Sequence, residues 1–222
     1  MKKILLSLGM LAGIISAASA QQARFGVKGG VGLASVTGDD VYGAKRLFGF
    51  QAGVMADFGF SESFSFHPEL LYSQKGTKRV GEDVYSAGGA STTSSYSAKA
   101  RLHYLDLPLL VRAKLAGFFV ELGPQVGLLL GQRAQYTTVT NTYGPTGTLL
   151  TSDTENEVDT RTDDLRKLDV GYVVGLGYSL PLGLEAGVRY NGGITKVVKG
   201  STDSKVYNSV IQFQLGYLFG GK

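Results

Sequence analysis

Eight stretches of this chain alternate apolar with small or polar residues one by one, at roughly 24–35, 47–58, 62–75, 100–115, 117–130, 167–180, 182–191 and 206–219. A period of two belongs to the β-strand, whose successive side chains point to opposite faces. In 206–219, Ile211, Phe213, Leu215, Tyr217 and Phe219 share one face, and Gln212, Gln214 and Gly216 the other. In 117–130, Phe118, Val120, Leu122, Val126, Leu128 and Leu130 oppose Glu121, Gly123, Gln125 and Gly127. In 100–115, Leu105, Leu107, Leu109 and Val111 oppose Asp106, Arg112 and Lys114, and in 182–191, Leu184, Ala186, Val188 and Tyr190 oppose Glu185 and Arg189. Each stretch is at least about as long as the 9–11 residues a tilted strand needs to cross a bilayer.

Alternation alone does not say which face is inside. A soluble barrel puts the apolar face in, and a membrane barrel puts it out. The connections decide. They alternate between short ones near Gly59–Ser61, Ala116 and Pro181 and long ones at about 36–46, 76–99, 131–166 and 191–205. Short periplasmic turns and long outer loops alternate in this way in outer-membrane barrels. The expected fold is therefore all-β, an eight-stranded antiparallel up-and-down transmembrane β-barrel. Composition agrees, with 32 Gly, 12 Tyr and 11 Phe against 5 Pro. After the first 20 residues there is no long apolar run, and a chain without spanning helices crosses lipid only as a closed barrel.

Aromatics sit near the strand ends. Phe25, Phe58, Phe60, Phe64, Phe66, Phe118, Phe119, Tyr178, Tyr217 and Phe219 mark the inner end, and Phe48, Tyr72, Tyr104 and Tyr190 the outer. Two belts at the lipid headgroups are expected. The loop at 76–99 is rich in Ser, Thr, Gly and Ala, and that at 131–166 in Thr and then acidic residues. Such compositions predict mobile loops.

Lys2 and Lys3, an apolar core from Ile4 to Ile15, and Ala18-Ser19-Ala20 have the form of a secretory signal with its cleavage site. Residues 1–20 are expected to be removed, leaving one barrel domain over 21–222. The chain has no Cys, so disulfides do not support the fold. Its net charge of +4 falls to +2 without Lys2 and Lys3, too little to imply nucleic acid.

By parity the inward face carries Lys28, Gln51, Asp57, His67, Glu69, Asp106, Arg112, Lys114, Glu121, Gln125, Asp169, Glu185, Arg189, Gln212 and Gln214. Eight strands enclose just enough room for side chains to fill the lumen. Buried charges need partners, so these residues are expected to form a structural polar network, with Glu69, Glu121, Arg112 and Arg189 at its centre. No catalytic, cofactor or metal residue is assigned. His67 and His103 are the only histidines, and Ser73 and Asp106 could approach His103, although no spacing demands it. Asp153, Glu155, Glu157, Asp159, Asp163 and Asp164 offer oxygen ligands for Ca²⁺ but lack EF-hand spacing, so a solvated loop is expected. The glycines of Gly26 to Leu33 alternate along a strand with no helix after them, unlike a nucleotide loop.

The segments FSFHPELLYSQKG (Phe64 to Gly76), LHYLDLPLLVRAKL (Leu102 to Leu115), GFFVELGPQVGLLLG (Gly117 to Gly131), DVGYVVGLGYSL (Asp169 to Leu180), GLEAGVRYNGGIT (Gly183 to Thr195) and FQLGYLF (Phe213 to Phe219) resemble the PorT-type outer-membrane β-barrel family, often called porin-family proteins, of Bacteroidetes. The resemblance implies an OmpA- or OmpX-like barrel in the bacterial outer membrane, and no single activity. One departure is that Phe219 is followed by Gly220, Gly221 and Lys222, so FQLGYLF is not terminal. The expected role is structural, or interaction and recognition, with a plugged lumen. Alternatives are a narrow solute pore, a component of a secretion apparatus, or an outer-membrane lipid-modifying enzyme. Expected partners are outer-membrane lipid and an envelope protein or extracellular ligand met through 76–99 and 131–166. A monomer is expected.

Overall fold

The computed structural model describes residues 23–39, 41, 43–200 and 205–220. The expected signal segment lies outside them. Ten strands are present: β1 (Ala23–Gly38), β2 (Ala44–Lys45), β3 (Leu47–Gly59), β4 (Phe64–Ala87), β5 (Ala90–Leu115), β6 (Phe118–Tyr143), β7 (Leu149–Asp159), β8 (Leu168–Ser179), β9 (Leu184–Gly193) and β10 (Val206–Leu218). Eight of them close a ring in the order β1-β3-β4-β5-β6-β8-β9-β10, and β10 returns to β1. All pairings are antiparallel. Each of the eight predicted segments lies on one barrel strand.

The ring inverts a soluble core. Phe25, Val54, Leu107, Val120, Leu176 and Leu215 are exposed on the outer wall, while Lys28, Glu69, Arg112, Glu121 and Arg189 are buried inside. Lipid, the solvent for that wall, has no need of polar groups. Ala116 and Gly117 form the tight turn between β5 and β6, with φ of 49° and 87°.

Two expectations are corrected. The loops at 76–99 and 131–166 are not mobile coils. β4, β5 and β6 run on past the barrel as strands of 24, 26 and 26 residues, and β7 adds an outer edge. The extension of β4 from Gly76 to Ala87 is about 40 Å long at 3.4 Å per residue. This projecting sheet lacks an apolar face, which is why hydrophobicity did not reveal it. Its ladder rests on backbone pairing, on β-branched residues, and on cross-strand hydroxyl pairs such as Thr92–Thr142 at 3.4 Å and Ser94–Thr140 at 3.3 Å. Gly88 and Gly89, with φ of 59° and 82°, close the two-residue β4–β5 hairpin. Positive φ at both positions is the geometry of a type I′ turn.

The aromatic belts are also revised. Tyr104 and Phe119 belong to neither, being 1 % and 2 % exposed within the lumen. Strand position placed them in the belts, but parity puts Tyr104 with Asp106 and Phe119 with Glu121.

Candidate functional site

Buried polar side chains from every barrel strand converge in the lumen, titratable on all but β10, which brings Asn208, Gln212 and Gln214, and three tiers fill it. At the short-turn end Asp57 on β3 accepts from Arg24 at 3.1 Å and Lys114 at 2.6 Å, and lies 3.3 Å from His67 Nδ1. At mid-barrel, Arg189 on β9 donates to both oxygens of Glu69 at 2.7 and 2.9 Å, and to Glu121 at 2.6 and 3.1 Å. Arg112 donates to Glu121 at 2.9 Å and to Glu185 at 2.8 Å. Lys28 closes on Glu69. Three cations thus meet three carboxylates, and the tier is formally neutral. Gln214 donates to Glu121 at 3.2 Å, and Ser179 to Glu185 at 2.8 Å. Desolvating each ion costs several kcal/mol, which bidentate, multiply bonded pairs offset.

The third tier lies toward the long loops. Lys75 bridges Asp106 at 3.0 Å and Asp169 at 2.9 Å. Asp169 also accepts from Asn208 and Thr195, each at 3.1 Å, and Ser73 donates to Asp106. Asn191 donates to Gln125 at 3.1 Å. A void of about 10 Å³ lies between Lys75, Gln125, Asp169, Asn191 and Asn208, about the room one water needs.

Above this tier the lumen closes on an apolar plug. Leu102, Tyr104 and Leu129 of the wall are buried with Val197, and Leu165 packs on them. Two loop segments carry the plug and are stitched to each other. Arg166 N–H donates to Val197 C=O at 2.8 Å, Lys199 N–H to Asp164 C=O at 2.8 Å, and Leu165 pairs with Val198.

All eleven residues expected in the lumen network, namely Lys28, Gln51, Glu69, Asp106, Arg112, Glu121, Gln125, Glu185, Arg189, Gln212 and Gln214, are buried. Gln51 reaches Gln214 at 3.5 Å, and Gln212 stands opposite Arg189 in the β9–β10 ladder. The interior is less uniformly polar than expected, because Met55, Leu71, Leu110, Val173 and Val210 are buried there too. Phe119 lies against the Arg112 guanidinium at 4.1 Å. Inward glycines make the room, and a Cβ on Gly175 would lie 2.8 Å from Glu121 Oε1.

Lys75, Asn191, Asn208 and Thr195 were not anticipated. The signal was there, since Lys75 shares parity with Glu69, Asn191 with Arg189, and Asn208 with Gln212. Ser73 and His103 do not combine. Ser73 bonds Asp106 inside the lumen, whereas His103 bonds the Tyr72 hydroxyl on the outer wall. His67 is held between Asp57 and Glu69. Among the described residues no group of three or more His, Asp or Glu converges as a metal site. The acidic residues of β7 alternate along it instead, with Asp159 bonded to Arg161 at 3.0 and 3.1 Å.

Residues 19–199 match the model of a family described as the outer membrane protein beta-barrel domain. The chain belongs to this family. An outer-membrane β-barrel domain is an antiparallel ring of the kind seen here, and membership places the protein in the bacterial outer membrane. Among solved structures, Ail of Yersinia pestis is similar at 13 % identity, covering 89 % of this chain and 99 % of that one, with a TM-score of 0.41. Neisserial surface protein A is similar at 15 % identity, with 88 % and 97 % covered and a TM-score of 0.38. OprG of Pseudomonas aeruginosa is similar at 13 % identity, with 90 % and 97 % covered and a TM-score of 0.34. No curated protein matches the chain.

Proposed function

We propose that this outer-membrane barrel is a closed scaffold that carries a rigid external β-sheet for contact and recognition, and is not a solute pore. The observation that carries this is the lumen, whose ion-pair tiers span the barrel beneath a plug of Leu102, Tyr104, Leu129, Val197 and Leu165. An ion crossing it would have to part charges that solvate each other, and the void beside Lys75 and Asp169 has room for about one water. Planar-bilayer recording from the refolded protein tests this. Absence of discrete conductance steps is expected, and steady salt-dependent steps would establish a pore.

The projecting sheet of β4 to β7 supports the recognition half of the proposal. Ordered strands present side chains at fixed spacing without the ordering entropy a coil loses on binding. An envelope protein or extracellular ligand is its proposed partner. The separation of Ser73 from His103 favours this role over lipid hydrolysis or transfer. The motifs at 102–115 and 117–131 support a PorT-type placement within the family. Co-purification of an envelope protein after crosslinking in membranes would extend that placement to secretion. Export by a cleaved segment belongs to the same proposal, and mass spectrometry of the membrane-extracted chain should find it starting at Gln21.

A further inference from the structure

The outward face of the projecting sheet changes character just beyond the outer aromatic belt. Phe48, Phe50 and Tyr72 face out at the top of the barrel wall, with Phe50 and Tyr72 rings 5.6 Å apart and His103 against Tyr72. The next two rows on that face are cationic. Arg101 on β5 stands directly opposite Arg133 on β6. One row further, Lys78 on β4 stands opposite Lys99 on β5 and also opposite Lys45 on β2. Like charges directly opposite in a ladder repel. None of these five cations forms an ion pair among the described residues. Glu82 is the first carboxylate up that face of β4, four residues beyond Lys78, and it accepts from Ser95. The acids of β7 do not answer the charge, because Asp159 pairs with Ala134 and Glu157 with Tyr136, on the opposite face from Arg133.

We propose that this face binds the phosphate groups of an outer-leaflet glycolipid. Neighbouring strands lie about 4.8 Å apart and the two rows about 7 Å apart, so the cations form a compact patch that a phosphorylated sugar headgroup can cover. The lipid source follows from continuity of the surface. Leu105, Leu128 and Leu130 are exposed on the wall directly below the patch, so acyl chains lying against them bring their headgroup to the cations. Basic residues immediately beyond the hydrocarbon zone are where proteins hold anionic headgroups. The assignment rests on the long loops lying outside the cell.

The test uses the full mature protein refolded in detergent. Native mass spectrometry would follow binding of a bisphosphorylated glycolipid of the lipid A type, its phosphate-free counterpart, and inorganic pyrophosphate. Arg101→Gln/Arg133→Gln/Lys78→Gln/Lys99→Gln is compared with wild type after both show the same heat-modifiable gel shift. The bisphosphorylated lipid should bind wild type at least about tenfold more tightly than the variant, and binding should weaken as salt rises. Equal binding to wild type and variant, equal binding of the phosphate-free lipid, or indifference to salt overturns the proposal. Full displacement by pyrophosphate also overturns it, in favour of a free-anion site. If the variant does not fold, the salt and phosphate-free arms on wild type still decide. Orientation is measured separately, by labelling Ser86→Cys on intact cells with an impermeant maleimide, so a wrong orientation is distinguishable from a failure to bind.

Discussion

Arg189 holds two carboxylates at once, and both Glu69 and Glu121 are buried away from the surface. Arg189→Met should therefore destabilise the barrel by about 3–5 kcal/mol, because three buried carboxylates would then share two cations, Lys28 and Arg112. The check is the temperature at which the heat-modifiable band disappears, which should fall, while unchanged melting would show that the central tier is dispensable. Gly177 faces Phe119, and a Cβ there would collide with the ring. Gly177→Ala should push Phe119 off Arg112 and cost about 1–3 kcal/mol, read by the same melt. Ala116 carries a φ of 49° that a residue with a Cβ seldom adopts. Asn is at ease there, and Asn-Gly is the preferred pair for this turn. Ala116→Asn should stabilise by about 0.5–1 kcal/mol, part of the roughly 1–2 kcal/mol that left-handed strain costs. At this scale parity alone found the central tier, since a strand offers only two faces. It missed Lys75, Asn191 and Asn208, which sit at or near the ends of expected strands, and Thr195, which sits in an expected loop.

The projecting sheet shows what strand-level patterning conveys and what it hides. Alternation of apolar with polar residues marks a strand lying between two different media. β4 beyond Gly76, β5 before Leu102 and β6 beyond Gly131 have water on both sides, so neither face needs to be apolar. What remained in the sequence was their β-branched content and the Gly88-Gly89 pair. Strands held by backbone ladders and not by a core should exchange faster than the barrel wall. Amide hydrogen exchange of the refolded protein should rank the wall slowest, then the projecting sheet, with the hairpin tip at Ala87–Ala90 fastest. Exchange at 80–95 as fast as in an unstructured peptide would return this segment to a coil. Replacing Lys78 to Lys99 by a short Asn-Gly turn should leave a heat-modifiable barrel, because the lumen tiers and the plug use none of these residues.

Across the whole molecule, charge is sorted by direction. Inside the barrel, cations and carboxylates are matched at the centre. Outside, the face of the projecting sheet that continues the outward barrel wall is basic at Arg101, Arg133, Lys78 and Lys99, while Asp153, Glu155, Glu157 and Asp159 lie on the other face of the sheet. A sheet polarised in this way should sit at a defined angle to an anionic membrane surface and lose that preference at high salt. Distance measurements between a spin label at Ser86→Cys and labelled headgroups, at low and high ionic strength, would read this tilt. No salt effect would mean that the ladder alone sets the angle.

The sequence by itself determined the ring. Period-two alternation fixes which side chains face in, and strict short–long alternation of the connections fixes a membrane topology, because both are local properties, one repeated over eight strands and the other over seven connections. It also determined that the lumen is charged on both signs. Tertiary structure decided the rest. Which cation meets which carboxylate depends on stagger around the ring, as with Arg189 reaching Glu69 from 120 residues away. The plug depends on Leu165 and Val197 meeting across the barrel mouth, and the basic patch on Arg101 and Arg133 falling in register past a bulge between His103 and Tyr104. Register between distant strands is a non-local quantity, set by the fit of the closed ring, and no single segment carries it.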